Sequence, residues 1–345
     1  MNIDKSKIKK ILCIKLRGIG DVVLSTVVFD NLLKEFPNAK IDYLTEPPSK
    51  AALEKLSFLN DIILYKKNET FAGLKTIAKV FFNKYDLVLD FYSNPRTAAI
   101  TYFSRAKYRA GFPYRGRTYA YNLFGPEERN KYHAAQLHIE FIKSVGIKTD
   151  SANLHFGLDE HDISFAHEYF KNNFNGKDFI VVLSPSGGWE SKKCDASKFA
   201  EIADAVNEKY HAKFLILWGP EDYQDAIAIQ NNMKGPLVLA PKTTIREGAA
   251  LMQAAKLVIA NDSGPMHIST AVGTPVLSLH GPTSPRLQGP FGNKHEWINL
   301  SELDCIECNL LVCPKNHECF KNLPVERVLS KVDSIISKNK IVIAP

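Results

Sequence analysis

Leu257-Val258-Ile259-Ala260, running on into Asn261-Asp262-Ser263-Gly264-Pro265-Met266-His267, is the stretch from which the rest of the chain is best read. Its first four residues are an unbroken apolar run, the pattern of a strand buried on both faces of a parallel sheet. Asp262 and Ser263 are favoured helix N-cap residues, and 266–272 continues as a helix. Gly264 has no Cβ, so a ligand can approach the backbone closely there. Strand, polar turn and helix start together build an anion site, because unpaired N–H groups and the helix dipole point out of the turn. The same residues also fit an ordinary capped strand-to-helix turn.

Outward from this segment the chain repeats one grammar twice. In the first half, strands are expected at 11–14, 40–44, 62–65 and 87–91, with helices at 21–35 and 74–82. The second half begins again with a strand at 179–183, a helix at 197–210 and a strand at 214–218. A short strand at 237–239, a helix at 245–255 and the strand at 257–260 follow, then a strand at 276–279. Strands alternating with helices imply parallel sheets covered on both faces, an α/β fold with ligands at the carboxyl ends of the strands. Asn172, Asn173, Asn175 and Gly176 mark a linker, and 324–338 reads as an amphipathic tail helix.

A chain of 345 residues exceeds one ordinary core, so two domains are expected. Its 45% hydrophobic and 23% charged content is that of a globular protein, and no apolar run is long enough to span a bilayer. The polar start, Met1 to Lys7, lacks the apolar core of a secretory signal, which implies a cytoplasmic location. A formal charge of +7 favours anionic partners. Lys7, Lys9, Lys10, Lys15 and Arg17 crowd the start. Arg105, Lys107, Arg109, Arg115 and Arg117 form a second basic stretch with Tyr108, Phe112, Tyr114 and Tyr119 between them. No helix-turn-helix, zinc-finger or RNA-recognition signature accompanies it, so nucleic acid is not the expected partner. An anionic acceptor at a membrane surface accounts for the charge.

Arg17-Gly18-Ile19-Gly20-Asp21 follows the first strand. It begins as a dinucleotide fingerprint does, but the third glycine would fall at Val23, which argues against a nicotinamide site. Gly18 and Gly20 let the turn tighten, and Asp21 then offers a carboxylate at the strand end. Such a group can take a proton from an attacking hydroxyl, or it can cap the helix that follows.

The wording of 261–267, the turn Gly273-Thr274-Pro275 and the ending His280-Gly281-Pro282-Thr283-Ser284-Pro285 resemble those of the bacterial heptosyltransferases, the glycosyltransferases of family nine. Ser184-Pro185-Ser186-Gly187-Gly188-Trp189-Glu190-Ser191-Lys192-Lys193 is similar to the family's lysine-bearing donor segment, with Lys193 where arginine is usual, Cys194 for the familiar tryptophan and Asp195 for proline. The resemblance implies a GT-B architecture, two Rossmann-like domains facing a cleft. Residues 1–170 would bind acceptor, 178–323 would bind the nucleotide sugar, and 324–345 would cross back toward the first domain. It implies inverting transfer of heptose from ADP-L-glycero-β-D-manno-heptose to the inner core of lipopolysaccharide, with no cofactor and no metal. Asp21 takes the role of base, and Lys192 neutralises the leaving diphosphate.

The same resemblance places Ser184, Ser186, Gly187, Lys193, Trp218, Gly219, Glu221, Thr243, Asp262, Ser263, Gly264, Pro265, Met266 and His267 around the donor. Glu221 is assigned to the ribose hydroxyls and Asp262 to the sugar. Arg17, Gly18, Gly20, Arg96, Arg115 and Arg117 are assigned to a lipid-linked core oligosaccharide, reached in transient contact with the inner face of the cytoplasmic membrane. Closure of the domains would exclude water. A related transferase using another nucleotide sugar, or a GT-B epimerase, would carry much the same features. Cys305, Cys308, Cys313 and Cys319, with His317 nearby, match no zinc-finger spacing; free or redox-paired thiols are favoured over a structural metal, in a stabilising role.

Overall fold

Short apolar runs become the central strands of two parallel sheets. The computed structural model describes residues 3–343, and the chain divides into two units after Gly157. The first unit carries β1 (Lys10–Ile14), β2 (Lys40–Thr45), β3 (Leu59–Leu64), β4 (Leu87–Asp90), β5 (Tyr108–Gly111) and β6 (Leu123–Phe124). Its helices are α1 (Ile19–Ser25), α2 (Phe29–Glu35), α3 (Ala72–Asn83), α4 (Pro95–Phe103) and α5 (Ala134–Ser144). The second unit opens with α6 (Glu160–Asn173) and β7 (Ile180–Ser184), then α7 (Ala196–Tyr210), β8 (Lys213–Ile216), α8 (Tyr223–Asn232) and β9 (Leu237–Leu239). It continues with α9 (Ile245–Ala254), β10 (Leu257–Asn261), α10 (Gly264–Ala271), β11 (Val276–Leu279), α11 (Pro285–Gln288) and β12 (Glu296–Ile298). Two last helices, α12 (Glu318–Lys321) and α13 (Val325–Asn339), end it.

The strand orders are β3-β2-β1-β4-β5-β6 and, read in the matching direction, β9-β8-β7-β10-β11-β12. Counted within each unit, both are 3-2-1-4-5-6, the doubly wound order, and every strand pair is parallel. In such sheets the strand order reverses between the first and fourth strands, and ligands sit beyond the carboxyl ends there. The reversal falls between β1 and β4 in one unit and between β7 and β10 in the other. The Asp21 turn follows β1, the lysine segment follows β7 and the loop 261–267 follows β10.

Three details differ from the expected elements. The helix expected over 21–35 is broken into α1, a 3₁₀ turn at Thr26–Val28, and α2. Ser25 and Thr26 hydroxyls donate back to the Val22 and Val23 carbonyls at 2.7 and 2.6 Å, local bonds that bend a helix. The unit boundary precedes α6, because α6 packs on α9 and Arg246 of α9 reaches Asp162 at 3.0 Å. The asparagines at 172–175 therefore end a helix of the second unit. The tail helix α13 buries Val328, Val332 and Ile335 in the second core, against α7, β11 and β12. No helix among the described residues is long and apolar enough to cross a membrane.

Candidate functional site

In the first unit, the turn after β1 holds Gly18 at φ +78, so that α1 starts immediately at Ile19. Gly18 is the N-cap residue, and Asp21 lies inside the first turn with no capping bond. The capping alternative for Asp21 is thereby removed. A Cβ on residue 18 would lie 2.9 Å from Asp21 Oδ2, so glycine here serves both the left-handed backbone and the carboxylate's position. The Asp21 side chain is about half exposed (51%), and Lys15 Nζ stands 3.9 Å away on a side chain that is 7% exposed. Burial pulls the Lys15 ammonium down in pKa and Arg129 adds to this, while Asp21 opposes both.

Asp90 closes the end of β4. Its carboxylate accepts from the Tyr92 and Ser93 amides and from the Tyr121 hydroxyl at 2.8 Å. Burial nevertheless pushes its pKa up. Of the expected acceptor residues, Gly18, Gly20 and Arg17 surround the Asp21 turn, with Arg17 exposed and Gly20 buried. Arg117 is anchored, donating to the Ser93 carbonyl at 3.0 Å and stacking over Tyr114. Arg96 lies over the Tyr65 ring, and Arg115 is exposed. Lys15 and Arg129, both electrostatically coupled to Asp21, were not among the expected site residues.

In the second unit, Lys192 and Asp262 form an ion pair at 2.7 Å, with side chains 11% and 4% exposed. Lys192 Nζ also lies 4.5 Å from the Trp189 ring centroid. Burial would raise the Asp262 carboxyl, but His280, Lys192 and the Thr283 hydroxyl together hold it below the usual carboxylate range. His280 is buried and its pKa falls to about 4, mainly through loss of solvation. Asn261 staples the two strand ends together. Its amide donates to the Pro185 carbonyl at 2.8 Å and its oxygen accepts from the Cys194 amide at 3.2 Å.

Ser263 is the N-cap of α10, yet its hydroxyl donates to the Asn261 carbonyl and makes no cap bond. The opening amides of α10 are left without a side-chain cap, the arrangement that suits an anion. Pro265 sits in the first turn, Met266 is fully buried and His267 is buried on the same helix. Ser184 is buried at the end of β7, and Ser186 donates to Asp222 at 2.6 Å. Lys193 is not free for a ligand's charge: it pairs with Asp222 at 2.9 Å and Asp225 at 2.7 Å. A Cβ on Gly187 would meet the Lys193 stem at 2.7 Å, so this glycine lets that side chain pass. Trp218 donates its indole N–H to the Ala240 carbonyl and meets Tyr223 edge-on. Glu221 is exposed, whereas its neighbour Asp222 is the buried, bonded acid. Gly219 adjoins Asp222, and Thr243 lies beside α9, whose cap box is made by Thr244 and Glu247.

The cysteine-bearing segment lies on the turn that carries Lys192. The Ser191 amide and hydroxyl donate to the Leu311 and Leu310 carbonyls at 3.2 and 2.5 Å. Glu190 accepts from the Cys313 amide at 2.9 Å and lies 2.8 Å from His317 Nε2. All four thiols are unpaired, and burial beside the other three pushes Cys319 up to about 12. Among the described residues, no three of their sulfurs come within 4.8 Å of one another.

A family model described as glycosyltransferase family 9 (heptosyltransferase) matches residues 74–317. The chain is 26% identical over 351 residues to lipopolysaccharide heptosyltransferase 3 of Escherichia coli K12, covering 94% of this chain and 97% of that protein. Among solved structures, the glycosyl transferase family 9 protein of Veillonella parvula superposes with a TM-score of 0.84 at 22% identity, over 96% of this chain and 97% of that one. E. coli ADP-heptose LPS heptosyltransferase II gives a TM-score of 0.77 at 18% identity, over 96% and 99%. These likenesses carry the two-sheet α/β fold of the GT-B class. The matched residues include both the lysine turn and the loop after β10, and the chain belongs to glycosyltransferase family 9, the heptosyltransferases.

Proposed function

We propose that this chain is an inverting glycosyltransferase that moves heptose from ADP-L-glycero-β-D-manno-heptose to the inner core of lipopolysaccharide. The observation that carries the reading is the pairing of chemistry with topology. An uncapped carboxylate, Asp21, follows the first strand of one unit. The buried Lys192–Asp262 pair and the uncapped start of α10 occupy the matching reversal of the other.

Asp21 takes the proton of an acceptor hydroxyl as that oxygen forms a bond to the heptose anomeric carbon. The bond from that carbon to the diphosphate breaks on the opposite face, inverting the centre, and its electron pair leaves with ADP. Lys192 and the amides of α10 stabilise the charge gathering on the diphosphate. A lysine and a helix terminus neutralise a diphosphate without a divalent ion, so the reaction is proposed to be metal-independent. The remaining donor assignments follow the same logic, with Asp222 replacing Lys193 and Glu221 as the ordered polar group beside Ser186. The acceptor is the lipid-linked core oligosaccharide, met at the inner face of the cytoplasmic membrane by a peripheral protein.

The test is ADP release from ADP-heptose in the presence of truncated lipid A core acceptors. Release is expected to need the acceptor and to fall about 10²–10⁴-fold in Asp21→Ala, with the thermal midpoint little changed. UDP- or GDP-hexoses serving better than ADP-heptose would assign another donor. Turnover of the nucleotide sugar without any acceptor would assign an epimerase.

A further inference from the structure

The first unit carries a band of aromatic side chains that its core does not use. On α3, Ala72, Thr76 and Val80 are buried. The opposite side holds Leu74, Ala78, Phe81 and Phe82, an apolar stripe at helical spacing that faces solvent. Leu74 is 65% exposed and Phe82 75%. The band continues past this helix. Phe82 meets Phe81 edge-on at 5.3 Å, and the Arg105 guanidinium lies 5.2 Å from the Phe81 ring centroid. Arg105 follows α4, which packs on α3 and ends in Tyr102 and Phe103, again edge-on at 5.3 Å. Tyr119 adds an exposed ring 5.6 Å from Tyr102. A continuous apolar surface of this kind marks a face that something else covers.

The rim of this face is cationic. Between Asp90 and Glu127 the chain has six arginines and lysines and no acidic residue. Lys75 and Lys79 on α3 are offset by Glu69 and Asp61, at 3.8 and 3.0 Å. The positive weight therefore falls at the helix ends, on the exposed Lys84, Arg105 and Lys107. Lys84 and Arg105 follow α3 and α4 at φ +52 and +54, where glycine is the usual residue. A second copy of this chain, docked about a two-fold axis, would set these cations against themselves. Single-stranded nucleic acid takes flat stacking platforms, whereas these rings stand edge-on to one another and share their surface with an aliphatic leucine. Exposed rings and leucine bordered by lysine and arginine are what a bilayer's headgroup layer accepts, and anionic lipid strengthens the contact.

We propose that the α3–α4 face docks on an anionic phospholipid bilayer. Leu74, Phe82 and Phe103 enter the headgroup layer, and Lys84, Arg105 and Lys107 meet lipid phosphates. The inference rests on the transferase reading in one respect, that a lipid-borne acceptor gives the contact its purpose. The Phe82–Phe103 end of the face lies where β4 and β5 begin, the edge of the sheet opposite the Asp21 turn. α3 joins two parallel strands and so runs antiparallel to them. A bilayer laid along its stripe is therefore side-on to the sheet and leaves the carboxyl ends of the strands uncovered.

The experiment is flotation of the full chain, without donor or acceptor, with vesicles of phosphatidylethanolamine and phosphatidylglycerol and with vesicles of phosphatidylcholine alone. Binding to the anionic vesicles is expected to be at least about tenfold tighter and to weaken as salt rises. Phe82→Ser combined with Phe103→Ser is expected to reduce it about tenfold or more, while ADP affinity and the circular dichroism spectrum stay as in the wild type. Lys84→Gln combined with Arg105→Gln is expected to erase the preference for anionic lipid. Failure to float with either vesicle, or variants that float as the wild type does, overturns the surface. So does a dimer or a single-stranded DNA complex that the serine variant dissolves while vesicles are ignored, since the face then belongs to another partner. Because the vesicles carry no sugar, a protein inactive with ADP-heptose that still floats would sink the transferase reading and leave the surface standing. Transfer of heptose to a delipidated core by a protein that ignores vesicles would sink the surface alone.

Discussion

The two strand-order reversals of this chain carry opposite electrostatic designs. Beyond β1 and β4, Asp21 stands half in solvent at 3.9 Å from a buried lysine, with no hydrogen bond between them. Beyond β7 and β10, Lys192 and Asp262 are in direct contact at 2.7 Å, and Thr283 and His280 complete the shell. One site is electrically open and the other is closed on itself. An open site suits a group that must give and take a proton repeatedly. A closed site would hold its lysine in place for the diphosphate proposed above, and the amides that open α10 carry no side-chain cap.

The contrast is broken most severely at Lys192. Lys192→Met leaves a carboxylate that is 4% exposed without its countercharge, and a loss of about 3–5 kcal/mol is expected in urea unfolding. Combining it with Asp262→Asn should restore most of that stability and none of the ADP affinity, read by titration. A single variant as stable as the wild type would show that the closed site is not closed. The matching change in the open site, Asp21→Asn, is expected to leave the unfolding curve within about 0.5 kcal/mol, because Asp21 caps nothing.

Acid should loosen the second unit through its histidines. His280 and His295 are buried, and loss of solvation takes both to about 4. An unfolded imidazole takes up its proton near 6.5, so the unfolded chain binds more protons between that value and 4. Their contribution is therefore complete above about pH 6.5 and is lost as pH falls toward 4. A drop of roughly 2–3 kcal/mol per histidine by pH 4.5 is expected, and His295→Gln should flatten part of it. Asp262 acts in the same direction in a lower window: its folded value is held below the unfolded one, so its contribution is lost only as the pH falls below the carboxylate range, beneath the histidine window.

A change beside Asp21 sharpens the open site. Gly18→Ala puts a side chain at φ +78 and a Cβ 2.9 Å from Asp21 Oδ2. A loss of about 1–2 kcal/mol is expected from the backbone alone. Turnover should fall less than in Asp21→Asn, since the carboxylate is displaced and not removed. Thermal unfolding with ADP-release rates on the same preparation would check both parts.

Much of this was legible in the sequence where one short segment carried both the fold and the chemistry. The apolar run 257–260 and the polar loop after it became β10 and α10, and 237–239 and 276–279 matched β9 and β11 residue for residue. Peripheral elements were not read. β6 has two residues, too few for a periodic signal, and β5 lies inside the basic aromatic stretch that starts just after α4, where charge masks the alternation of a strand. Lys193 is placed at the donor by the resemblance, standing where arginine is usual, and nothing in the sequence signals that Asp222 and Asp225 pair with it. Arg129 was invisible for a different reason. It sits in a polar segment with no motif of its own, and its relation to Asp21 exists only after six strands have been wound into one sheet.

The attachment of the cysteine segment to the Glu190–Lys192 turn has a practical corollary. That turn is a single turn of 3₁₀ helix outside the sheet ladders; Leu310, Leu311 and Cys313 contribute backbone groups that brace it from outside. Alkylating Cys313, or nicking the chain near residue 311, would leave both sheets intact and slacken the lysine's mount. A preparation damaged in this way would look native by spectroscopy and melt at its usual temperature, yet grip its nucleotide poorly.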